Sequence, residues 1–222
     1  MISKLFNCIK AIKRKYYTFR VKRVSASCGN DLTVNAYSYI TPKTSLGNNV
    51  NFNGMKIQGT ANVIIGDNFH SGIECMIITD SHNYEGEAIP YDDTVISKDV
   101  VIEDNVWLGN RVIVLPGVRI GEGAIIQAGS VVVNDIPKYA IAGGHPAKVF
   151  SSRDKDHYEM LKKEGKFHYL NFIIDLHIFH MHISHCTIAI FHKKISFILI
   201  NFSFNLMKQI FKDCNFFYCH CL

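Results

Sequence analysis

By type and setting, the side chain in this chain best suited to chemistry is the imidazole of His82. It follows an aliphatic-rich run, 76–81, and lies in a segment, 80–93, that interrupts a regular pattern. A neutral imidazole accepts a proton near physiological pH, so His82 is a candidate general base. Asp80 and Glu85 are both candidates to orient it, and the alternative is an ordinary surface-loop histidine. No motif pairs a Cys or Ser with a base, so no covalent intermediate is implied.

The other histidines offer weaker patterns. His70 falls at a turn of a repeat, and we interpret it as structural. A cluster near the C-terminus could suggest a metal, but its spacing matches no known site, so no metal is predicted. Its members are His177, His180, His182, His185 and Cys186.

The element that must position His82 is revealed by a six-residue period. Aliphatic residues recur at Ile96, Ile102, Leu108, Val114, Ile120, Ile126 and Val132. Small or apolar residues follow four positions later, at Val100, Val106, Val112, Val118, Ala124 and Ser130. Neither a helix nor a simple strand sustains a period of six, whereas a β-helix does. The pattern therefore predicts stacked coils with the aliphatic residues inside and the small residues at the corners.

The repeat extends upstream with slips. Segments 46–50 and 65–69 show the same pattern, but the step from Ile65 to Ile96 is one position longer than a multiple of six. Something is inserted between them, and we expect 80–93 to project from the coil as a loop. Loops held on a rigid scaffold commonly carry function.

These residues resemble the hexapeptide-repeat acyltransferases. The resemblance covers about residues 30 to 168 and is densest in 102–109, 116–118, 128–132 and 142–148. It is nearest to the maltose, galactoside and surface-polysaccharide O-acetyltransferases. It implies an all-β, left-handed parallel β-helix, a homotrimer, and active sites between subunits. It also implies acetyl-CoA as co-substrate and a carbohydrate acceptor. Separately, the chain beyond residue 23 is mildly acidic, so no nucleic acid is expected as a partner.

The resemblance also implies roles for particular residues. His82 matches the catalytic base, and Asn51 matches a residue that contacts the acceptor, although a coil-corner Asn is the alternative. Trp107 matches an aromatic beside the acyl-donor groove, or else packs on a rung edge. Asn110 lies near the position whose backbone N–H serves the oxyanion.

Small residues and cations are expected along the coenzyme A groove. Gly109, Ala128 and Gly129 would let the pantetheine arm approach closely, and Lys148 has the best motif match for a phosphate contact. Lys138 and Arg111 are weaker candidates, because isolated cations are more often plain solvated charges.

Three other functions are associated with a β-helix of this kind. A γ-type carbonic anhydrase needs three zinc-binding histidines on adjacent coils, and residues 96–132 contain none. A xenobiotic acetyltransferase would share the donor groove and a loop histidine, and would differ only in the acceptor loop. A non-catalytic β-helix scaffold is the remaining alternative.

The charge of the chain is unevenly placed. Its formal net charge is +5, yet residues 1–23 hold eight Lys or Arg and no acid. Apolar residues recur there at three and four, which predicts a helix. Two roles stay open for it, a cap over the open end of the β-helix or a contact with an anionic membrane. The cytoplasm is the expected compartment, with the inner face of a membrane as the alternative.

Composition divides the chain into four parts. We predict a basic helix or cap in 1–29, the acyltransferase β-helix in 30–150, a C-terminal helix in 151–168 and an atypical tail in 169–222. The tail contains no Gly or Pro and few charges. We interpret it as appended sequence, helical or disordered, with read-through of a lost stop codon as one origin.

Overall fold

The computed structural model describes residues 2–168, with side chains from residue 5 onward. The predicted tail, 169–222, lies outside this range. Two helices, α1 (Ile2–Val24) and α2 (Lys155–Lys163), flank a series of short strands. In chain order the strands are β1 (Ser27–Cys28), β2 (Thr33–Ala36), β3 (Thr44–Leu46), β4 (Asn51–Asn53), β5 (Lys56–Gln58), β6 (Val63–Ile65), β7 (His70–Ile73), β8 (Met76–Ile78), β9 (Asp80–His82), β10 (Val95–Ser97), β11 (Val100–Ile102), β12 (Trp107–Leu108), β13 (Ile113–Val114), β14 (Arg119–Ile120), β15 (Ile125–Ile126), β16 (Val131–Val132), β17 (Ala140–Gly144) and β18 (Ala147–Ser152).

The strands stack into the three faces of a parallel β-helix, as the six-residue period predicts. Face A contains β1, β3, β6, β11 and β14, face B contains β2, β4, β7, β12, β15 and β17, and face C contains β5, β8, β13 and β16. The chain visits the faces in the order A, B, C. Val101 pairs with Arg119, and Trp107 pairs with Ile125. Each partner lies three repeats further along the chain, so one coil consists of three six-residue sides.

The core consists of the predicted aliphatic ladder. Six of its members have no exposed surface, namely Ile102, Leu108, Val114, Ile120, Ile126 and Val132. The small residues of the repeat are buried at the corners beside them. Ile96 was predicted as part of this ladder, and that prediction is wrong. It is 39% exposed and belongs to β10, which leaves the coil.

The predicted projecting loop is a hairpin. Strand β9 pairs antiparallel with β10, with His82 opposite Val95 and Asp80 opposite Ser97. The hairpin lies between β8 on face C and β11 on face A, and so emerges at the corner opposite face B. Ile64 on the preceding coil pairs with Val101. The chain from Ile64 to Val101 is one regular coil of three six-residue sides plus an insertion. The insertion is one residue longer than a second regular coil would be.

Asparagines form the corner between faces A and B. Asn49, Asn68 and Asn105 stack on successive coils, with φ angles of 54°, 55° and 60° that Asn tolerates better than most residues. The Nδ2 of Asn49 donates to Oδ1 of Asn68, and Nδ2 of Asn68 donates to Oδ1 of Asn105, both over 2.9 Å. These amide ladders fix the register of the coils at this corner.

Helix α1 caps the first coil. Val21 is 2% exposed, and Oγ1 of Thr18 accepts a hydrogen bond from the N–H of Val34 over 3.1 Å. The ring of Tyr17 packs edge-on against Tyr37 with 6.0 Å between centroids. The chain therefore closes one end of its apolar core with its own helix, which an exposed solenoid end requires.

Candidate functional site

Three consecutive coils present Asn51, His70 and Trp107 side by side on face B. Asn51 pairs with His70, and His70 pairs with Trp107. Neighbouring strands lie about 4.8 Å apart, so the three side chains form a continuous row. The next residues in β4 and β12, Phe52 and Leu108, are fully buried in the core. Because side chains alternate along a strand, the row faces away from the core.

This row forms one wall of a cavity of about 440 Å³. The asparagine corner forms its side, and the opposite wall comes from α2 and the residues after it. That wall contains Tyr158, Leu161, Lys162, Lys166, Phe167 and His168, with Arg153 just before the helix. A cleft of this size with apolar walls and a few polar groups is typical of a small-molecule site.

Asn51 contributes an unsatisfied acceptor to this wall. The residue is 3% exposed, and its Oδ1 has no hydrogen-bond partner among the described residues. A buried acceptor left unpaired costs roughly 1–3 kcal/mol, so an unpaired amide here favours an incoming donor. Asn51 is the first residue of β4, whereas the coil corner is occupied by Asn49, so the alternative of a simple corner Asn does not describe it.

His70 is the residue of this row that the sequence pattern does not identify. The sequence predicts it at a turn, but it is the first residue of β7 and lines the cavity. Burial, and then the nearby His168, lower the pKa of His70, so its imidazole is held neutral. Its alignment with Trp107 follows from counting coils once the length of the insertion is known.

His82 occupies a different part of the molecule. It ends β9, its side chain is exposed, and its ring stacks on Tyr91 with 3.9 Å between centroids and 11° between planes. No residue of the hairpin lines the cavity. The hairpin leaves the corner opposite face B. Within a single chain, the imidazole of His82 is therefore separated from Asn51, His70 and Trp107.

The carboxylates considered as partners of His82 are engaged elsewhere or separate from it. Asp80 accepts hydrogen bonds from the N–H of Thr60 at 2.9 Å and the hydroxyl of Thr79 at 3.0 Å. Burial would raise the pKa of Asp80, but these hydrogen bonds lower it overall. Within residues 2–168, no hydrogen bond joins His82 to Asp80 or Glu85. Tyr91 is therefore the side chain observed to hold the imidazole.

Of the predicted donor-groove residues, Gly109, Asn110, Ala128 and Gly129 lie along the corner between faces B and C, whereas Trp107 begins β12 on face B and lines the cavity. Gly129 N–H donates to the carbonyl oxygen of Asn110 at 2.8 Å, while Oδ1 of Asn110 accepts from the N–H of Ile73 at 2.9 Å. A Cβ on Gly109 would come within 2.5 Å of the backbone nitrogen of Ala128, so Gly109 allows the coils to stack closely.

The end of this corner is open. Gly129 has φ +73°, and a Cβ built there would meet nothing within 4 Å. Lys148 is exposed and pairs with Gly143 in the β17–β18 hairpin, whose Gly144 N–H donates to Oγ of Ser130 at 3.1 Å. Small residues and one cation thus share an open edge, which suits a thin chain that carries phosphates.

The two weaker candidates for a phosphate contact, Arg111 and Lys138, both form ion pairs with glutamates. Arg111 forms an ion pair with Glu74 at 2.9 Å. Lys138 lies 3.5 Å from Glu122 and 3.9 Å from Glu103, in the network beneath α2. Neither cation is available to a phosphate without breaking a pair.

Glu122, which no sequence motif singles out, anchors the cavity wall. It is 8% exposed, and its carboxylate pairs with Lys162 and accepts a hydrogen bond from the Tyr158 hydroxyl at 3.1 Å. Burial opposes ionisation, but Lys162, Tyr158 and Lys138 together lower the pKa of Glu122. Burial and the charge of Glu122 raise the pKa of Tyr158, which therefore stays protonated and donates. Tyr158 also accepts from Nδ2 of Asn105 at 2.8 Å.

The described residues show neither a metal centre nor a membrane span. In the part of the chain from 2 to 168, no group of three or more His, Cys, Asp or Glu is placed to hold a metal ion. Within the same range, neither helix is both long and apolar enough to cross a bilayer.

The sequence of this chain is similar to those of known transferases. Residues 99–134 match the family model described as bacterial transferase hexapeptide (six repeats). The galactoside O-acetyltransferase of Escherichia coli K12 is 32% identical over 145 residues, covering 62% of this chain and 70% of that protein. Other curated relatives align over shorter stretches. The chain spans 41% of a Schizosaccharomyces pombe relative at 43% identity and 28% of a Staphylococcus aureus relative at 54% identity.

Two solved structures are similar over the β-helix. One is a hexapeptide-repeat acetyltransferase of Vibrio cholerae complexed with acetyl coenzyme A, with a TM-score of 0.53 and 28% identity over 59% of this chain and 73% of that one. The other is a galactoside acetyltransferase in complex with coenzyme A, with a TM-score of 0.55 and 29% identity over 62% of this chain and 70% of that one.

Proposed function

The chain belongs to the hexapeptide-repeat acetyltransferase family, and on this basis we propose that it transfers an acetyl group from acetyl-CoA to a sugar hydroxyl. The acceptor class we favour is a carbohydrate of surface polysaccharide biosynthesis, made on the cytoplasmic side of a membrane. The galactoside enzyme that aligns over 70% of its length supports the carbohydrate class.

The observation that carries the proposal is the separation of the two half-sites. Asn51, His70 and Trp107 line the cavity, while His82 leaves the opposite corner. A working site requires both, so we propose a homotrimer in which the hairpin of one subunit reaches the cavity of the next. In a closed ring of three subunits, each hairpin meets the cavity of one neighbour, so the trimer contains three equivalent sites.

Each half-site has a chemical role in this proposal. The imidazole of His82 removes the proton from the acceptor hydroxyl as that oxygen attacks the thioester carbonyl, and Tyr91 holds the ring in place. As the new C–O bond forms, the C–S bond breaks, and the imidazolium returns the proton to the departing thiolate. The acceptor's own hydroxyl donors satisfy the unpaired Oδ1 of Asn51. His70, neutral in its half-buried position, can accept or donate a further hydrogen bond to the sugar.

The open edge between faces B and C fits the donor. Exposed Ala128 and Gly129 leave backbone accessible for the pantetheine arm, Gly109 lets the coil beneath them stack closely, and the exposed Lys148 is suited to a phosphate. Acetyl-CoA, when bound, supplies the activated thioester. A backbone N–H at Asn110 would stabilise the negative charge that develops on the carbonyl oxygen.

Complementation between two inactive variants tests the shared site. His82→Ala should lose ~10²–10⁴-fold in turnover, since it lacks the base. Asn51→Ala should lose acceptor binding. Chains carrying one change each, co-expressed in equal amounts with different tags, should form mixed assemblies. A site then works only where an intact His82 meets an intact Asn51 of its neighbour, so activity should recover to about one quarter of wild type.

The assay is release of free thiol from acetyl-CoA with a panel of mono- and oligosaccharides, corrected for hydrolysis. His157→Ala is the matched control, because His157 is exposed on α2 and does not line the cavity. It should retain wild-type turnover. Mixed assemblies that stay inactive would place both half-sites in one chain, and full activity of His82→Ala would remove this histidine from the mechanism.

A further inference from the structure

Helix α1 has two apolar faces, of which capping uses only one. Val21, Tyr17 and Thr18 face the first coil. On the other side lies a stripe of exposed apolar residues, here called the outer stripe. It consists of Leu5, Ile12, Tyr16 and Phe19, with exposures from 47% to 62%.

The two faces lie on opposite sides of the helix. At about 100° per residue, the outer stripe is centred roughly 180° from the face that contains Val21. The four members of the outer stripe span a sector of about 60°. The cap therefore leaves this sector facing away from the β-helix.

Cations border the outer stripe. Lys13, Lys15 and Lys22 are exposed, and none of them forms an ion pair within residues 2–168, while the exposed Arg23 falls on the stripe itself at the end of α1. Lys15 and Lys22 lie on one flank and Lys13 on the other. No acidic residue occurs before Asp31. The helix thus combines an exposed apolar sector with charge of a single sign.

This charge pattern distinguishes between two possible partners of the outer stripe, a second copy of α1 and an anionic surface. The spacing of the outer stripe, at intervals of seven, four and three, would also suit a coiled coil with α1 of a second copy. However, the residues that would flank such a seam are Lys13, Lys15 and Lys22, which would face the same cations on the partner. Self-pairing would bring like charges together, whereas an anionic surface would be attracted by them.

We infer that α1 binds the surface of an anionic lipid bilayer through the outer stripe and its flanking cations, while its opposite face caps the β-helix. An amphipathic helix with Phe and Leu on one side and Lys or Arg beside them lies in the plane of the membrane interface. The two roles that the sequence leaves open are thus compatible, because they use different faces.

Flotation of the full chain with vesicles tests this inference without any measurement of activity. One set of vesicles is phosphatidylcholine alone, and the other contains about 30 mol% phosphatidylglycerol to supply the negative surface. The chain should float with the anionic vesicles and little with the neutral ones. Binding should weaken as salt screens the charges.

Two variants separate α1 from the rest of the chain. Lys13→Glu/Lys15→Glu/Lys22→Glu should reduce partition into anionic vesicles at least about tenfold, since each cation near the surface contributes to attraction. Leu5→Ser/Phe19→Ser should do the same by removing buried apolar area. The matched control, Lys56→Glu/Lys98→Glu/Lys155→Glu, reverses three charges that are also exposed but lie outside α1, and it should retain most binding.

Melting temperatures should stay near wild type in all variants, because the changed side chains face away from the cap. Absence of flotation with anionic vesicles would overturn the inference. So would unchanged flotation of both α1 variants, because another segment would then carry the binding. A third outcome would assign the outer stripe to a second copy of the chain. In that case the wild type does not bind vesicles, and light scattering shows that Leu5→Ser/Phe19→Ser no longer forms the oligomer.

Discussion

Replacement of Glu122 by Gln should loosen the wall that α2 contributes to the cavity. Gln keeps the size of the side chain and can still accept from Tyr158, but it cannot form the ion pair with Lys162. Breaking a fully buried pair costs about 3–5 kcal/mol. Lys162 and Lys138 have side chains that are 40% and 56% exposed, so solvent screening reduces the loss.

We expect Glu122→Gln to lower the free energy of unfolding by about 1–2 kcal/mol, between the values for exposed and buried pairs. For a chain of this size that corresponds to a fall in Tm of roughly 2–8 °C. The KM for the acceptor should rise, because Tyr158 and Lys162 line the cavity. The KM for acetyl-CoA should change little, because the B–C edge does not involve α2.

The effect should also depend on pH in a defined direction. The pKa of Glu122 in the folded chain is lowered from its ordinary value of 4.5. Its contribution to stability is therefore complete above that value, and it is lost as the pH falls through the lowered folded pKa. The difference between wild type and Glu122→Gln should shrink over this acidic range, since protonation makes the native carboxyl neutral as well.

Urea unfolding followed by fluorescence at neutral and acidic pH measures these differences. Glu164→Gln is the matched control, because its ion pair with Lys166 is exposed at the end of α2, and it should change stability by less than about 1 kcal/mol. Equal stability of Glu122→Gln and wild type at neutral pH would refute the assignment of Glu122 as the anchor. A stability difference that persists unchanged in acid would refute its electrostatic origin.

Three further predictions concern the two half-sites and the donor edge. Tyr91→Ala should lower kcat up to about tenfold, because the stacked ring contributes ~0.5–1.5 kcal/mol to placing His82. Tyr91→Phe keeps the ring and should keep a near-normal kcat. An equal loss of kcat in both variants would assign the effect to the hydroxyl. His70→Leu should raise the KM for the acceptor and leave that for acetyl-CoA unchanged, measured by initial rates, and a change confined to acetyl-CoA would place His70 in the donor groove. Lys148→Glu should raise the KM for acetyl-CoA several-fold, less at high salt, and an unchanged value at low salt would exclude a phosphate contact.

The sequence alone was sufficient to predict the coil and its core. A period of six fixes which residue of each side points inward, and six of the seven aliphatic residues in that ladder are fully buried. The same local regularity marks where the pattern stops, and His82 is found in that interruption. These features depend on neighbours a few residues apart, so a linear pattern contains them.

Which coils lie side by side was decided only by the tertiary structure. Ile96 keeps the six-residue phase by coincidence, because the register depends on an insertion whose length is not a multiple of six. The same insertion hides the alignment of His70 with Trp107, and the coil between Asn51 and His70 is itself one residue longer than the regular eighteen.

The long-range partners of charged groups were also set by the fold. Glu122 between two glycines looks like a corner residue in sequence, yet packing of α2 buries it beside Lys162. Likewise, α1 has apolar residues on two sides, and only its contact with β2 determines which side is covered and which is exposed. Burial and pairing arise from segments distant in sequence, and for that reason no local pattern could supply them.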